Sequence, residues 1–323
     1  MSGPARRARR PPSETGIVLG VDLGGTKLRA ALADNTGTIL AELVEPTVRG
    51  SGEDVVAQVA AALAALEDRA GVLPGVVRAA GLGLPLAVDP RTGASWSFHN
   101  VPGLGELDVA AAFREALRVP VALDNDGNCA ALGEGRAGGA IGIADFAVVV
   151  IGTGIGSGIV AGGRLLRGAH GGAGEIAFLP LGGDPWDERN RMLGAYETAV
   201  AGPAIRARLA AALGAGEATT LPAGAGLAAV ATGAAAGDAL AGRLLDEEAR
   251  WIALGIAAIS AVADPELVVL SGGVGAIDAL LEPVREHVAT LSPRPPRVVT
   301  GLLGERAPLI GAIGLALDLM AQA

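Results

Sequence analysis

Residues 16–33 of the chain read GIVLGVDLGGTKLRAALA. Gly16–Val21 is an apolar run that stops at Asp22 and Gly24-Gly25, and Lys27–Ala33 is a second run. Asp34-Asn35-Thr36-Gly37 is turn chemistry, and Thr38–Val44 is a third run. Three antiparallel strands joined by tight turns account for this order. The pattern then returns. Phe146–Ile151 is apolar, Thr153-Gly154 interrupts it, Ser157–Ala161 follows, and Gly162-Gly163 turns the chain into Arg164–Arg167. Setting Gly20–Leu32 against Val149–Ala161, an offset of 129 residues, aligns strand, Gly/Thr turn and strand. A unit repeated at that distance implies two similar α/β halves, because solenoid repeats run about 20–50 residues.

The segments between fit this plan. Helical spacing runs through Glu53–Arg69, and Val76–Leu84 is a buried strand stopped by Pro85. Leu107–Leu117 is helical, Val119–Leu123 a short strand, and Cys129–Arg136 the body of a new helix. Later come one Ala-rich helical stretch (Tyr196–Leu213), a long apolar helix (Leu240–Val262), a strand (Leu267–Leu270) running into Ser271-Gly272-Gly273, and a closing helix (Leu309–Met320). Two halves, each with a glycine turn after a strand, describe a cleft with phosphate-binding loops on both walls.

Composition narrows the function. The 323 residues, 50% apolar and 18% charged, are enough for two domains with a buried core. Fifty Gly against eight aromatics (4 Phe, 3 Trp, 1 Tyr) point to tight turns and close backbone approaches. One Cys excludes a disulfide framework or a multi-cysteine zinc site, and His99, His170 and His287 are too scattered to form a ligand cluster. A formal charge of −9 argues against general nucleic-acid binding. The longest uncharged run, Ala218–Gly237, is Ala-rich and holds four Gly and Pro222, unlike a membrane span. Arg6, Arg7, Arg9 and Arg10 are followed by Pro11-Pro12 where a signal peptide needs an apolar stretch. A cytoplasmic protein with a disordered arm at residues 1–15 is the expectation.

The loops carry the chemistry. Asp22-Leu23-Gly24-Gly25-Thr26-Lys27 offers backbone N–H groups to phosphate oxygens, a hydroxyl at Thr26, a point charge at Lys27, and at Asp22 an outer ligand for Mg²⁺. Alone it is equally a hairpin turn. Gly152–Gly158 alternates Gly with small residues, but a strand follows it, so it is no dinucleotide fingerprint. Gly272-Gly273-Val274 precedes a helical stretch whose N–H groups suit an anion or nucleoside. In Leu123–Asn128 a carboxylate is either a helix N-cap or a general base. Glu175 is a solvated edge unless it binds sugar hydroxyls.

Taken together, Gly20–Lys27, Asn125-Asp126-Gly127-Asn128 with Ala130–Glu134, Gly152–Val160 and Gly171–Ile176 resemble the ROK family of sugar kinases and sugar-responsive repressors. The resemblance runs from about Gly16 to the C-terminus, including Leu303-Gly304-Glu305 through Leu317. It implies an α/β, two-domain actin-like (ribonuclease-H-like) fold with an interdomain cleft. The expected domains are 16–136 plus 308–323, and 137–307. It also implies Asp126 as catalytic base. ATP phosphates would lie on Asp22, Gly24, Gly25, Thr26, Lys27, Thr153 and Gly154, with Gly272-Gly273 near the adenosine and Mg²⁺ on Asp22 through water. Asn100, Asn125, Asp126, Glu175 and Glu197 would meet a hexose, and a homodimer is expected.

Two departures stand out. The family places a His three residues after the Glu of its Gly-Glu-Ile motif, then a zinc-binding cysteine cluster. Here that position is Phe178, and Leu179–Tyr196 contains neither Cys nor His, so no zinc is expected. Gly127 replaces a usual Ala, and Cys129 is read as core. The leading expectation is an ATP-dependent, glucokinase-like hexose kinase that closes over its sugar. The alternative is a non-catalytic sugar-sensing regulator, although only about fifteen residues precede the first strand, too few for a helix-turn-helix.

Overall fold

The computed structural model describes residues 16–89, 91–92, 94–97, 103–104 and 107–322. The first sheet has the order β3-β2-β1-β4-β7: β1 (Ile17–Leu23), β2 (Lys27–Ala33), β3 (Ile39–Pro46), β4 (Val77–Leu84) and β7 (Val121–Asn125). Between β4 and β7 lies a small antiparallel pair, β5 (Leu86–Val88) with β6 (Ser95–Ser97). The second sheet repeats the order as β10-β9-β8-β11-β12: β8 (Phe146–Ile151), β9 (Ile155–Ala161), β10 (Arg164–Leu165), β11 (Leu267–Ser271) and β12 (Arg297–Thr300). In each, the first three strands are antiparallel and the last two parallel. The repeat expected from the 129-residue offset is therefore a repeat of topology.

Helices cover both faces of both sheets. Over the first sheet lie α1 (Gly52–Ala70) and α2 (Val109–Leu117), whose Val55, Val59, Leu66 and Phe113 share a core with Leu19, Leu28 and Leu82. Sequence explains the ends of α1. Ser51 caps the first turn reciprocally with Asp54, and Gly71 closes the last at φ 66°. The helix α3 (Asp126–Ala137) leaves β7 but packs on the second sheet, where Ala130 and Ala131 meet Val148, Val160 and Val269.

Between β10 and β11 the chain inserts α4 (Glu188–Leu193), α5 (Ala195–Val200), α6 (Gly202–Gly214), α7 (Leu227–Ala235) and α8 (Ala239–Ala263), which build the second half's larger core. The single helical stretch expected over Tyr196–Leu213 is thus two helices. Ala201 is extended (φ −67°, ψ 161°) and Pro203 starts the second helix, because a proline ring cannot continue a helix already begun. After β11 come α9 (Gly272–Gly275) and α10 (Leu281–Leu291).

The last helix, α11 (Ala307–Ala321), leaves the second sheet and packs on the first, with Leu309, Ile313 and Ala316 against Val18, Ala31 and Ala79. Each half therefore lends its final helix to the other, and α3 and α11 cross between them. At its tightest points the crossing is backbone against backbone. A Cβ on Gly311 would lie 1.8 Å from the Cys129 carbonyl oxygen, and one on Gly133 2.1 Å from that of Ala307. Glu134, wholly buried, fastens the far end of α3 by accepting from Gly139 N–H (2.7 Å) and Leu303 N–H (3.1 Å).

Candidate active site

The turns at the ends of β1 and β8 face each other across a cavity of about 420 Å³. Asp22, Gly24, Thr26, Lys27, Asp126, Thr153, Gly272 and Gly273 line it, eight of the residues expected from sequence. The first turn is closed by Gly24 N–H on the Lys27 carbonyl (2.9 Å) and braced by the Thr47 hydroxyl on the Gly24 carbonyl (2.7 Å). Opposite, Gly202 N–H donates to the Gly152 carbonyl (2.9 Å), tying α6 to the second turn. Gly272 sits at φ 84°, and a Cβ there would lie 2.4 Å from the Ile151 carbonyl oxygen, so only glycine fits this strand end. Gly25 and Gly154 do not line the cavity. Gly25 is at the exposed hairpin tip, and Gly154 backs onto the Glu197 carboxylate. Asn100 lies outside the described residues, as does the arm at 1–15.

Local geometry decides which side chain caps the helix. Asn125, not Asp126, caps α3: its Oδ1 accepts from Gly127 N–H (2.7 Å) and Asn128 N–H (3.3 Å). Asp126 is left as the first helical residue with its carboxylate in the cavity, accepting from Gly127 N–H at 2.8 Å. Burial pushes its carboxyl up to about 6 against those backbone N–H groups. Gly127 has a reason as well. A Cβ there would lie 2.8 Å from the Ser157 carbonyl oxygen, so the small residue lets α3 rest on β9.

Three more carboxyls surround this one. Burial, with the Asp126 charge next, pushes Asp22 up to about 7, and burial with the charges of Asp126 and Glu197 pushes Glu175 up to about 8. Glu197 is raised chiefly by burial, while one oxygen accepts from Ile155 N–H at 2.9 Å. The Asn125 amide donates to Glu175 at 3.2 Å. Asn125, Asp126, Glu175 and Glu197 thus form one acidic wall beside the glycine turns. Carboxyls perturbed by burial and by one another's charge beside a cavity make this a candidate functional site.

Sequence reading missed other lining residues: Arg29, Arg206, Pro203, Pro308 and Glu305. Glu305 takes the Lys27 ammonium at 2.9 Å and the Arg29 guanidinium at 3.4 Å. No local pattern announces that pair, whose members are 278 residues apart. Phe178, where the family pattern has His, is 36% exposed. Among the described residues no group of three or more His, Cys, Asp or Glu side chains is arranged to hold a metal, and no helix is long and apolar enough to cross a membrane.

The pattern of the ROK family matches residues 18–319. The chain belongs to the ROK family. Its alignment with the glucokinase of Halalkalibacterium halodurans is 33% identical over 179 residues, 52% of this chain and 52% of that one. The chain spans about half the length of the curated relatives it matches. Among solved structures, a ROK hexokinase from Thermus thermophilus is 33% identical with a TM-score of 0.76, covering 95% of this chain and 100% of its own. A ROK family glucokinase from Streptomyces griseus, in complex with glucose and AMPPNP, is 28% identical with a TM-score of 0.74, covering 94% and 100%. These neighbours bear out the two-domain actin-like architecture.

Proposed function

We propose that the chain is an ATP-dependent sugar kinase that phosphorylates a hexose hydroxyl, with glucose the first sugar to test. The observation that carries the reading is the placement of Asp126. It borders both the cavity between the two glycine turns and the acidic wall, and its carboxyl is held near 6, close to working pH. The likeness to a hexokinase and to a glucokinase bound to glucose and AMPPNP supports it.

In the derived mechanism, Asn125, Glu175 and Glu197 orient the sugar, and Asp126 accepts the proton of the attacking hydroxyl. The sugar oxygen bonds to the γ-phosphorus as the bond to the β,γ-bridging oxygen breaks, and ADP leaves. The glycine turns and Thr26 hold phosphate oxygens, and Lys27 exchanges Glu305 for them. Asp22 suits a hard divalent cation: the donors here are carboxylate oxygens, and Mg²⁺ is usually held by one or two carboxylates with water and phosphates. Mg²⁺ when bound neutralises phosphate charge.

The test is ADP release with Mg²⁺-ATP across hexoses and N-acetylhexosamines, run beside Asp126→Asn. Sugar-dependent turnover that collapses in the variant supports the reading. One observation favours a second reading, a sugar sensor: Phe178 removes the polar group the family uses against its sugar. Thermal stabilisation by a sugar, without turnover on any, would select the sensor and reject the kinase.

A further inference from the structure

We infer that Arg167 is a positioning residue for phosphoryl transfer, clasping Asp124 so that the strand end presenting Asp126 and the loop presenting Glu175 hold one geometry. The inference rests on the kinase reading above.

Asp124 is the penultimate residue of β7 and belongs to the first sheet, whereas Arg167 follows β10 of the second. The Asp124 carboxylate is 4% exposed and fully engaged. Its Oδ1 accepts from Asn125 N–H (2.9 Å) and the Asn128 side-chain amide (2.7 Å), while Oδ2 takes Nε (2.8 Å) and Nη2 (2.7 Å) of Arg167. The guanidinium is the cationic partner of a carboxylate two residues from the proposed base. Without it, a charge would stay buried on two neutral donors, which is costly enough to move the strand end or the charge.

The other side of the clasp leads to the sugar wall. The Arg167 carbonyl accepts from Ala173 N–H (3.1 Å), and the Gly174 carbonyl accepts from the Ser157 hydroxyl (2.7 Å). Glu175 follows at once and receives the Asn125 amide. Asp124, Arg167, the 168–174 loop, Glu175 and Asn125 thus form a closed ring across the two sheets. A ring of this kind fixes the distance between the base and the group that orients the hydroxyl, and a displacement of about 1 Å costs about 10²-fold in rate.

The experiment measures steady-state kinetics of the full chain with Mg²⁺-ATP and the best hexose, for wild type, Arg167→Ala and Arg167→Lys. Folding is checked by circular dichroism. The expected result for Arg167→Ala is a kcat lower by about 10²-fold with an unchanged KM for ATP. Guanidinium ion at millimolar concentration should restore part of that kcat, and should do nothing for wild type or Asp126→Asn. Arg167→Lys, which keeps the charge but loses the fork, should fall between. If Arg167→Ala does not fold, Arg167→Lys carries the test alone through its kcat. Wild-type kcat in a folded variant, or a deficit confined to thermal stability, would overturn the clasp and leave the kinase reading standing. A wild-type chain without sugar-dependent turnover would overturn the kinase reading first and this role with it.

Discussion

The hairpin turns of the two halves occupy equivalent places in equivalent sheets, yet they are built for different work. The turn between β1 and β2 is flanked by Asp22 and Lys27, and the one between β8 and β9 offers Gly152, Thr153 and Gly154 with no charge. The titratable groups around the cavity come from both halves. Asp22, Lys27 and Asp126 come from the first half. The second contributes the uncharged turn, Arg206 and Glu305 at the cavity, and, from the long segment between β10 and β11, Glu175 and Glu197 beside it. Topology was duplicated, and the duplicated part supplies backbone. What distinguishes the two walls is a few side chains at strand ends and one insertion.

The strongest way to break that comparison is Asp126→Asn. Kcat should fall by about 10²–10⁴-fold in the ADP-release assay, without loss of folding. A second test pits the turns against each other by ATP titration. Lys27→Met should raise the KM for ATP by about 10–100-fold, matching one charge-assisted hydrogen bond of about 1.5–3 kcal/mol, while Thr153→Val should raise it only a few-fold. Equal effects would mean that the two walls share the phosphate load evenly. The interface between the halves is tested by Gly311→Ala, whose methyl meets the Cys129 carbonyl. Urea unfolding should show a loss of about 1–3 kcal/mol.

The smallest effect is on pH. Asp126, Asp22 and Glu175 are raised to about 6, 7 and 8, whereas in an unfolded chain such carboxyls titrate near 4. The folded chain therefore binds more protons across that window, and its stability falls as pH rises through it. Tm should be higher at pH 5.5 than at pH 8, and Glu175→Gln should flatten the difference. Activity should run the other way. The base must be ionised, so kcat/KM should decline below about pH 6.

Much of the fold was legible because glycine and apolar runs alternate sharply around β1, β2, β8 and β9, and topology rules did the rest. Elements without that contrast were not. The strand β12 is four residues behind Pro295-Pro296, and α7 lies in an Ala-rich stretch lacking any charged residue to mark a polar face. In the site, Asp22, Lys27 and Asp126 could be found because each sits in a glycine turn or at a strand end. Arg167 and Glu305 could not. Their partners lie 43 and 278 residues away, and nothing in a local pattern encodes a pairing made only when two sheets meet.

The crossing of α3 and α11 has a mechanical consequence. The two helices touch through glycine backbone at Gly133 and Gly311, and elsewhere along the crossing Arg136 of α3 pairs with Asp318 of α11 at 2.6 Å. Contact this close fixes the separation of the halves, and the Arg136–Asp318 pair adds a tie across it. Asp126 stands at one end of α3 and Glu134, gripping the loop that leads to Glu305, near the other. Helix α3 thus joins the cavity wall that carries Asp126 to the segment that carries Glu305, the partner of Lys27.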